Sequence, residues 1–379
     1  MPDRALADVR VLDLARYLAG PYCAMLLADM GAEVIRIEPP AGGDDRGVGP
    51  HFQGESLMVL AHSRGKKGIT LNLRSDQGRR LFRQLVTLAD VVVENFRPGV
   101  MAAMEISYEQ LKQINPRIIL VSVSGFGQTG PYAQRPAFDP IAQAYAGMVD
   151  LNGFPEWPPL KTAMSIADYA AGMNGALGAM FALHHRHRSG AGQHVDVSLL
   201  DSMAAFLETS AMEHLLLGNT PRRLGNRRPV SSPANAYQAR DGWVFLVATP
   251  DAHWLALLKI MGREDLAADP RLATYRSRGQ HCELIEEIVA GWVATVTVGH
   301  VVERLVAAGI PCAPVNSVAQ AVVDPQIVSR EMIVHVEHPT AGEIPVPGIV
   351  AKLSATPGSG GLLALDEAHL ARLRADGVI

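Results

Sequence analysis

The stretch Val9–Ile37, VRVLDLARYLAGPYCAMLLADMGAEVIRI, decides the fold. Val9–Leu14 reads as a strand. Gly20-Pro21 then opens a helix through Met30, Gly31 stops it, and Glu33–Ile37 is a second strand; Pro early in a helix and Gly just past its end suit the unsatisfied backbone groups there. Strand, helix, strand is the βαβ unit of a parallel sheet. The pattern recurs downstream. Ile69–Leu73 reads as a strand, Ser75 caps a helix carrying Leu81, Leu85 and Leu88 on one face, and Asp90–Val93 is an apolar strand. A capped helix, Ser107–Ile114, leads to the strand Arg117–Ser122. Runs such as VVV and IILV are apolar on both faces, as in a sheet covered by helices on each side. The fold class expected is therefore α/β.

Residues 125–165 break this rhythm, being rich in Gly, Pro and aromatics, a long loop region of the kind that serves a site or an interface. An apolar helix follows from Asp168, then the charged end HHRHRSG, the strand QHVDVSL and a helix from Leu199 to about Leu217. The polar, Arg- and Pro-rich connection Arg222–Arg240 marks a domain boundary. Past it, the strand Trp243–Ala248 and the helices Asp251–Met261, His281–Val296 and Val301–Ala308 form a smaller α/β module. Strands Met332–Val336 and Glu343–Val346 and a helix Leu365–Leu373 are expected to return to the first domain. The division expected is a large domain over 1–220, a linker over 221–240, a small domain over 241–325, and a linker with C-terminal return over 326–379.

A chain of 379 residues fits two to three domains at roughly 150 residues each. With 48% hydrophobic and 19% charged residues it is no disordered chain. A net charge of −4 argues against a nucleic-acid-binding surface as its main business. Low charge with positive mean hydropathy hints that a partner subunit covers some surface. Cys23, Cys282 and Cys312 show no C-x-x-C spacing, so neither a disulfide framework nor a zinc site is legible, and a reducing, cytoplasmic compartment fits. No secretory h-region is visible near the N-terminus. Ile166–Leu183 comes nearest to a membrane span, but it falls short of the ~20 residues needed, contains Asp168 and Asn174, and reads as a buried core helix.

Four motifs carry chemistry. Gly125–Gly130, GFGQTG, matches a dinucleotide fingerprint, yet PYAQRP follows where a helix should receive the pyrophosphate. His184 and His187 stand at i, i+3 without a nearby third ligand, at a helix end where cations are favoured, so no metal is expected. Asp168 starts a helix whose Gly172, Gly175 and Gly178 line one face and admit another backbone closely. Two readings of it stand open: an N-cap, which the residue physics favours, and a carboxylate nucleophile. Arg222, Arg223, Arg227 and Arg228 are either a solvated linker or a cradle for phosphate or carboxylate.

Taken together, VLDLARYLAGPYCAMLLADMGAEVIRIEPPAGGD, GKKGITLNLRSDQG, ADVVVENFRPG, NPRIILVSVSGFGQTGPYAQRPAFDPIAQA, ADYAAGMNGALGAMFAL, RSGAGQHVDVSLLDS and GIPCAPVNS followed by DPQ resemble the class III CoA-transferases. This is the CaiB/BaiF family typified by formyl-CoA transferase, and the likeness runs from about Val9 to Val350. The resemblance implies a Rossmann-like large domain, a small domain, and a homodimer of two interlocked chains. It implies coenzyme A, as acyl-CoA, as cofactor-substrate, with no metal and no NAD. The family's nucleophilic aspartate falls on Asp168. Its CoA-contacting stretches fall on Tyr17 and Leu18, on Leu71, Asn72, Leu73 and Arg74, on Asn95, Phe96 and Arg97, and on Arg135, Pro136, Ala137 and Phe138. The function expected is transfer of CoA from an acyl-CoA donor to a short or medium carboxylic acid through aspartyl anhydride and aspartyl-CoA thioester intermediates, with backbone N–H groups at the helix start as oxyanion donors. Dicarboxylates would fit if the Arg222 to Arg228 cluster faces the acyl pocket.

Three departures bear on this. Phe138 replaces the histidine of the α-methylacyl-CoA racemases, which disfavours α-proton abstraction. The glycine-rich loop of oxalate-specific members has no counterpart between Leu224 and Trp243. Pro39 and Ala103 stand where formyl-CoA transferase is basic, and Arg74, Arg97 and Arg135 are the candidates to substitute. The alternatives are a racemase, a non-catalytic acyl-CoA-binding protein, and an NAD oxidoreductase that would need a helix directly after Gly130. No membrane or nucleic-acid partner is expected.

Overall fold

The computed structural model describes residues 4–227 and 232–358. Its centre is a parallel sheet of six strands: β1 (Arg10–Asp13), β2 (Glu33–Glu38), β3 (Lys66–Thr70), β4 (Val91–Glu94), β5 (Ile119–Ser124) and β6 (His194–Ser198). Their order across the sheet is β3-β2-β1-β4-β5-β6. Val11 of β1 lies opposite Val34 on one side and Val91 on the other. Strand order thus reverses between β1 and β4, and in sheets of this kind ligands bind beyond the carboxyl ends of the strands at that point. The Rossmann-like α/β class read from the sequence is the class observed.

Each sheet face is apolar, so each must be covered. One face, with Val11, Val34, Val91 and Val121, packs under helices α1 (Ala19–Asp29) and α6 (Ile166–Ser189). The other, with Leu12, Ile35, Val92 and Leu120, packs under α3 (Asp76–Thr87) and α4 (Tyr108–Ile114). Two shorter helices matter below, α2 (Leu57–His62) and α5 (Asp139–Tyr145). The glycine face of α6 does what its spacing suggests. A Cβ on Gly172 would stand 2.7 Å from the carbonyl oxygen of Ala19, and one on Gly178 would stand 2.5 Å from Val195 Cγ1. Glycine lets α6 lie directly on α1 and β6.

Some boundaries differ from the sequence expectation. Strand β3 begins at Lys66, ahead of Ile69, because the Lys66 ammonium is buried and held by Asp13 Oδ2 at 2.8 Å and the Pro21 carbonyl at 2.7 Å. The helix expected from Leu199 to Leu217 is broken: α7 (Leu199–Ala204) and α8 (Glu208–Leu217) are separated by a short 3₁₀ turn, and Glu208 has φ 44°.

By contacts the described residues form two units. The large one comprises 4–149, 161–220 and 325–358, and includes an antiparallel hairpin of Ile333–His338 with Gly342–Pro347. The second comprises 150–160, 221–227 and 232–324. Residues 150–160 thus group apart from the large unit to which the sequence reading gave them. The stretch read as a linker contains the strand Ala234–Ala239, which pairs with Gly242–Val247, itself paired with Cys312–Pro314. Trp254, Leu257, Ile285, Val289 and Leu305 form this unit's core. Arg228 and the expected helix Leu365–Leu373 lie outside the described residues. Among the described residues no single helix is long and apolar enough to cross a membrane.

Candidate active site

The turn after β1 is held rigidly. Asn95 clamps Arg16, its Oδ1 accepting from the Arg16 N–H at 2.8 Å and its Nδ2 donating to the Arg16 carbonyl at 2.6 Å. The next residue, Tyr17, sits at φ 64°, a conformation that costs free energy for a non-glycine residue and persists only where the surroundings impose it. Its N–H donates to Asp45 Oδ2 at 3.1 Å, and buried Asp45 is fixed by the Arg36 guanidinium at 2.7 Å. Asn95 therefore shapes the turn, both ends of its amide being engaged.

Phe96 carries the Arg16 guanidinium 5.2 Å from its ring centre, and its N–H donates to Glu94 Oε2 at 2.7 Å. Burial pushes the Glu94 carboxyl up to about 7. Leu71, Leu73 and Phe96 pack on the same apolar core, while Asn72, Arg74 and Arg97 are exposed. Asn72 Oδ1 accepts from the Arg74 N–H at 3.1 Å. The Arg135 guanidinium lies 3.8 Å from the Tyr132 ring centre and donates to Tyr145 Oη at 2.8 Å. Gly125 is pressed against Ala137, where a Cβ would meet Ala137 Cβ at 2.4 Å. The loop Gly125–Gly130 opens no helix; the Gln128 N–H donates to Asp196 Oδ2 at 3.0 Å.

These loops lead to Asp168. Tyr17 meets Phe138 edge to face at 5.9 Å, and Phe138 precedes the buried Asp139. Asp139 Oδ1 accepts from the N–H groups of Ala167 at 2.7 Å and Asp168 at 3.4 Å. Asp168 is the third residue of the 24-residue helix α6, and Ser165 holds the N-cap position, so the cap reading of Asp168 is replaced. The half-buried carboxyl of Asp168 makes no hydrogen bond or ion pair among the described residues. Burial, then the Asp139 charge, pushes it up to about 7.

The backbone donors at the start of α6 are also taken, contrary to the oxyanion role read for them. The N–H of Ile166 donates to Met164 at 2.9 Å, those of Ala167 and Asp168 to Asp139, and that of Tyr169 to Ser165 at 3.1 Å. Behind Asp168, His62 Nδ1 donates to the Met58 carbonyl at 2.8 Å, leaving Nε2 to accept the Tyr169 hydroxyl at 3.2 Å; burial pushes His62 down to about 4 and keeps it neutral. Sequence reasoning missed Asp139, whose string was read only for the residue before it.

In the second unit Arg223 donates to the Asp150 carbonyl and carboxylate at 2.9 and 2.8 Å, and Arg227 lies 3.8 Å from Glu283. Among the described residues no three His, Cys, Asp or Glu are grouped to hold a metal ion.

A doubly wound sheet with loops gathered at its reversal point, and a carboxyl without a partner among the described residues at a helix start, have the layout of an α/β enzyme site. The chain belongs to CoA-transferase family III, whose family profile matches residues 6–362. It is 41% identical to the succinyl-CoA–D-citramalate CoA-transferase of Chloroflexus aurantiacus, over 94% of this chain and 90% of that one. It is 39% identical to the succinyl-CoA:mesaconate CoA-transferase of Haloarcula hispanica, over 97% and 95%. With a CaiB/BaiF family protein of known structure from Brucella suis it shares 34% identity and a TM-score of 0.87, over 99% of each chain. The enzyme is a CoA-transferase, moving CoA between an acyl-CoA and a carboxylic acid.

Proposed function

We propose that Asp168 is the nucleophile and that the acids exchanged are short dicarboxylates. The observation that carries the first part is its carboxyl, half-buried at the sheet's ligand end yet without a partner among the described residues, where a structural carboxylate would be paired. Asp168 attacks the thioester carbonyl of the donor, forming an acyl-aspartyl anhydride and releasing CoA thiolate. The thiolate attacks the aspartyl carbonyl, giving aspartyl-CoA thioester and the free donor acid. An acceptor carboxylate attacks that thioester carbonyl and expels the thiolate, which then attacks the acceptor's acyl carbonyl, giving the new acyl-CoA and restoring Asp168. Each step exchanges one anhydride or thioester for another, so none needs ATP.

Arg74 and Arg97, exposed and without side-chain partners among the described residues, suit CoA phosphates, while Tyr17, Leu18, Leu71 and Phe138 suit its apolar parts. The dicarboxylate reading rests on the names of relatives, which include a succinate–glutarate CoA-transferase of Agrobacterium fabrum, 37% identical over 94% of this chain and 92% of that one. The exposed Met173, Leu177 and Phe181 of α6 suit burial against a second copy, as a cytoplasmic homodimer requires.

The test is intact mass after incubation with succinyl-CoA and treatment with hydroxylamine or borohydride. Modification at Asp168, lost in Asp168→Asn, supports the reading. No adduct, with α-hydrogen exchange into deuterated solvent instead, would establish a racemase.

A further inference from the structure

Two carboxylates meet at the start of α6, and the reaction above uses only one. Ser165 stands at the N-cap without making a side-chain cap bond. The cap comes from Asp139, 28 residues earlier on α5, whose Oδ1 takes the Ala167 N–H at 2.7 Å and, more weakly, that of Asp168. Oδ2 accepts from Gln143 Nε2 at 2.6 Å, and Gln143 Oε1 accepts from the Thr162 N–H at 3.0 Å. Asp139 and Gln143 are both buried, so this strap ties the first turn of α5 to 162–168 away from water.

Capping alone does not account for the arrangement. A buried carboxylate bonded only to neutral donors, beside another carboxyl, is a costly way to cap a helix when a serine already occupies the cap position. We propose that Asp139 is the positioning residue for Asp168, holding the nucleophile's backbone from a second helix so that its carboxylate needs no partner and stays free to attack. The inference rests on Asp168 being the nucleophile. The strap fixes the aspartyl Cα, and the Asp139 charge repels the Asp168 carboxylate. The other titratable groups around this turn are Tyr169 on α6, with Tyr22 of α1 and His62 of α2 packed behind it.

The test is the rate of Asp168 acylation by succinyl-CoA, read by rapid quench and mass in wild type, Asp139→Ala, Asp139→Asn and the double variant Asp139→Asn/Gln143→Glu, with circular dichroism as a folding check. A displacement near 1 Å can cost about 10²-fold, and Asp139→Ala should lower the acylation rate by that order with KM for acyl-CoA little changed. The double variant preserves the strap's hydrogen bonds: the new amide oxygen takes the Ala167 N–H, and its N–H₂ donates to the new carboxylate, which still accepts from Thr162. It also moves the charge one turn along α5. Its rate should recover above that of Asp139→Asn, and the pH midpoint of acylation should fall below that of wild type. A folded Asp139→Ala that acylates at the wild-type rate overturns the inference. Should Asp139→Ala fail to fold, a double variant no faster than Asp139→Asn overturns it equally. Wild type without an Asp168 adduct sinks the nucleophile reading itself, a result distinguishable from either.

Discussion

Helices α3 and α6 both begin with a serine followed shortly by an aspartate, and they treat the pair in opposite ways. At α3, Ser75 accepts from the Gly78 N–H at 3.1 Å, and Asp76 pairs with Arg79 one turn on. Both side chains find a partner three residues on. At α6, Ser165 makes no side-chain cap bond, the cap arrives from another helix, and the Asp168 carboxyl has no partner among the described residues. A helix start that satisfies itself locally has nothing left over for chemistry. One that borrows its cap keeps a carboxyl in reserve.

The comparison breaks most visibly at its two aspartates. Asp168→Asn should lower turnover with succinyl-CoA and a dicarboxylate acceptor by at least about 10³-fold, as loss of a covalent nucleophile does. Asp76→Asn, at the self-capped helix, should leave turnover intact. Equal effects, or an active Asp168→Asn, would remove the distinction.

The same contrast explains what the sequence could reveal. The Ser75 cap, the βαβ rhythm and the glycine face of α6 are local or periodic, and each was legible. Asp139 was not, because the N–H groups it caps lie 28 and 29 residues away and no spacing signals them. That the Asn95 amide closes on a backbone segment 79 residues distant was not legible either. Strand β3 was placed late because a buried lysine reads as loop until its Asp13 partner is seen. The break before α8 carries no Gly or Pro, only a glutamate at φ 44°. Asp168 stood out from the residues, but its reading as a nucleophile came from the family resemblance. From the residues alone it looked like a cap, since pattern reasoning assumes that a helix caps itself.

The field at Asp168 gives the next effect. As the proposed nucleophile Asp168 must attack as the anion, and with its pKa pushed up to about 7 the kcat/KM for acyl-CoA should fall about tenfold per unit below that pH. A limb near the ordinary carboxylate value would show that burial and Asp139 exert no such effect. The sign for stability follows. A raised folded-state pKa means ionisation opposes folding, so wild type should lose stability relative to Asp168→Asn as pH rises from about 4 to about 7, with no further change above. Thermal melts of both across that range would read it.

Packing tests the contrast between a helix pressed onto its neighbours and one with space around it. Gly172→Ala should gain about 1 kcal/mol of helix propensity but lose about 1–3 kcal/mol to overpacking, since the new Cβ falls 2.7 Å from the Ala19 carbonyl oxygen and 2.9 Å from Tyr22 Cδ1. A net loss in the melting temperature is expected. Gly291→Ala in the second unit's helix Cys282–Val293 meets nothing within 4 Å and should be stabilising. Gains at both sites would mean that α6 has room to move off α1.

The smallest effect returns to the two serines and separates local from borrowed capping directly. Ser75→Ala deletes the side-chain acceptor of the Gly78 N–H at α3, at a cost of about 1 kcal/mol. Ser165→Ala deletes a hydroxyl that caps nothing, because the Ala167 N–H already donates to Asp139, so denaturant unfolding should register no loss beyond a few tenths of a kcal/mol. The order also makes a conditional claim: in the Asp139→Ala background the Ala167 N–H is released, the Ser165 hydroxyl becomes the nearest replacement, and Ser165→Ala should then cost what Ser75→Ala costs in wild type. A Ser165→Ala effect that is the same in both backgrounds would show that the two caps act independently, and α6 would then be capped no differently from α3.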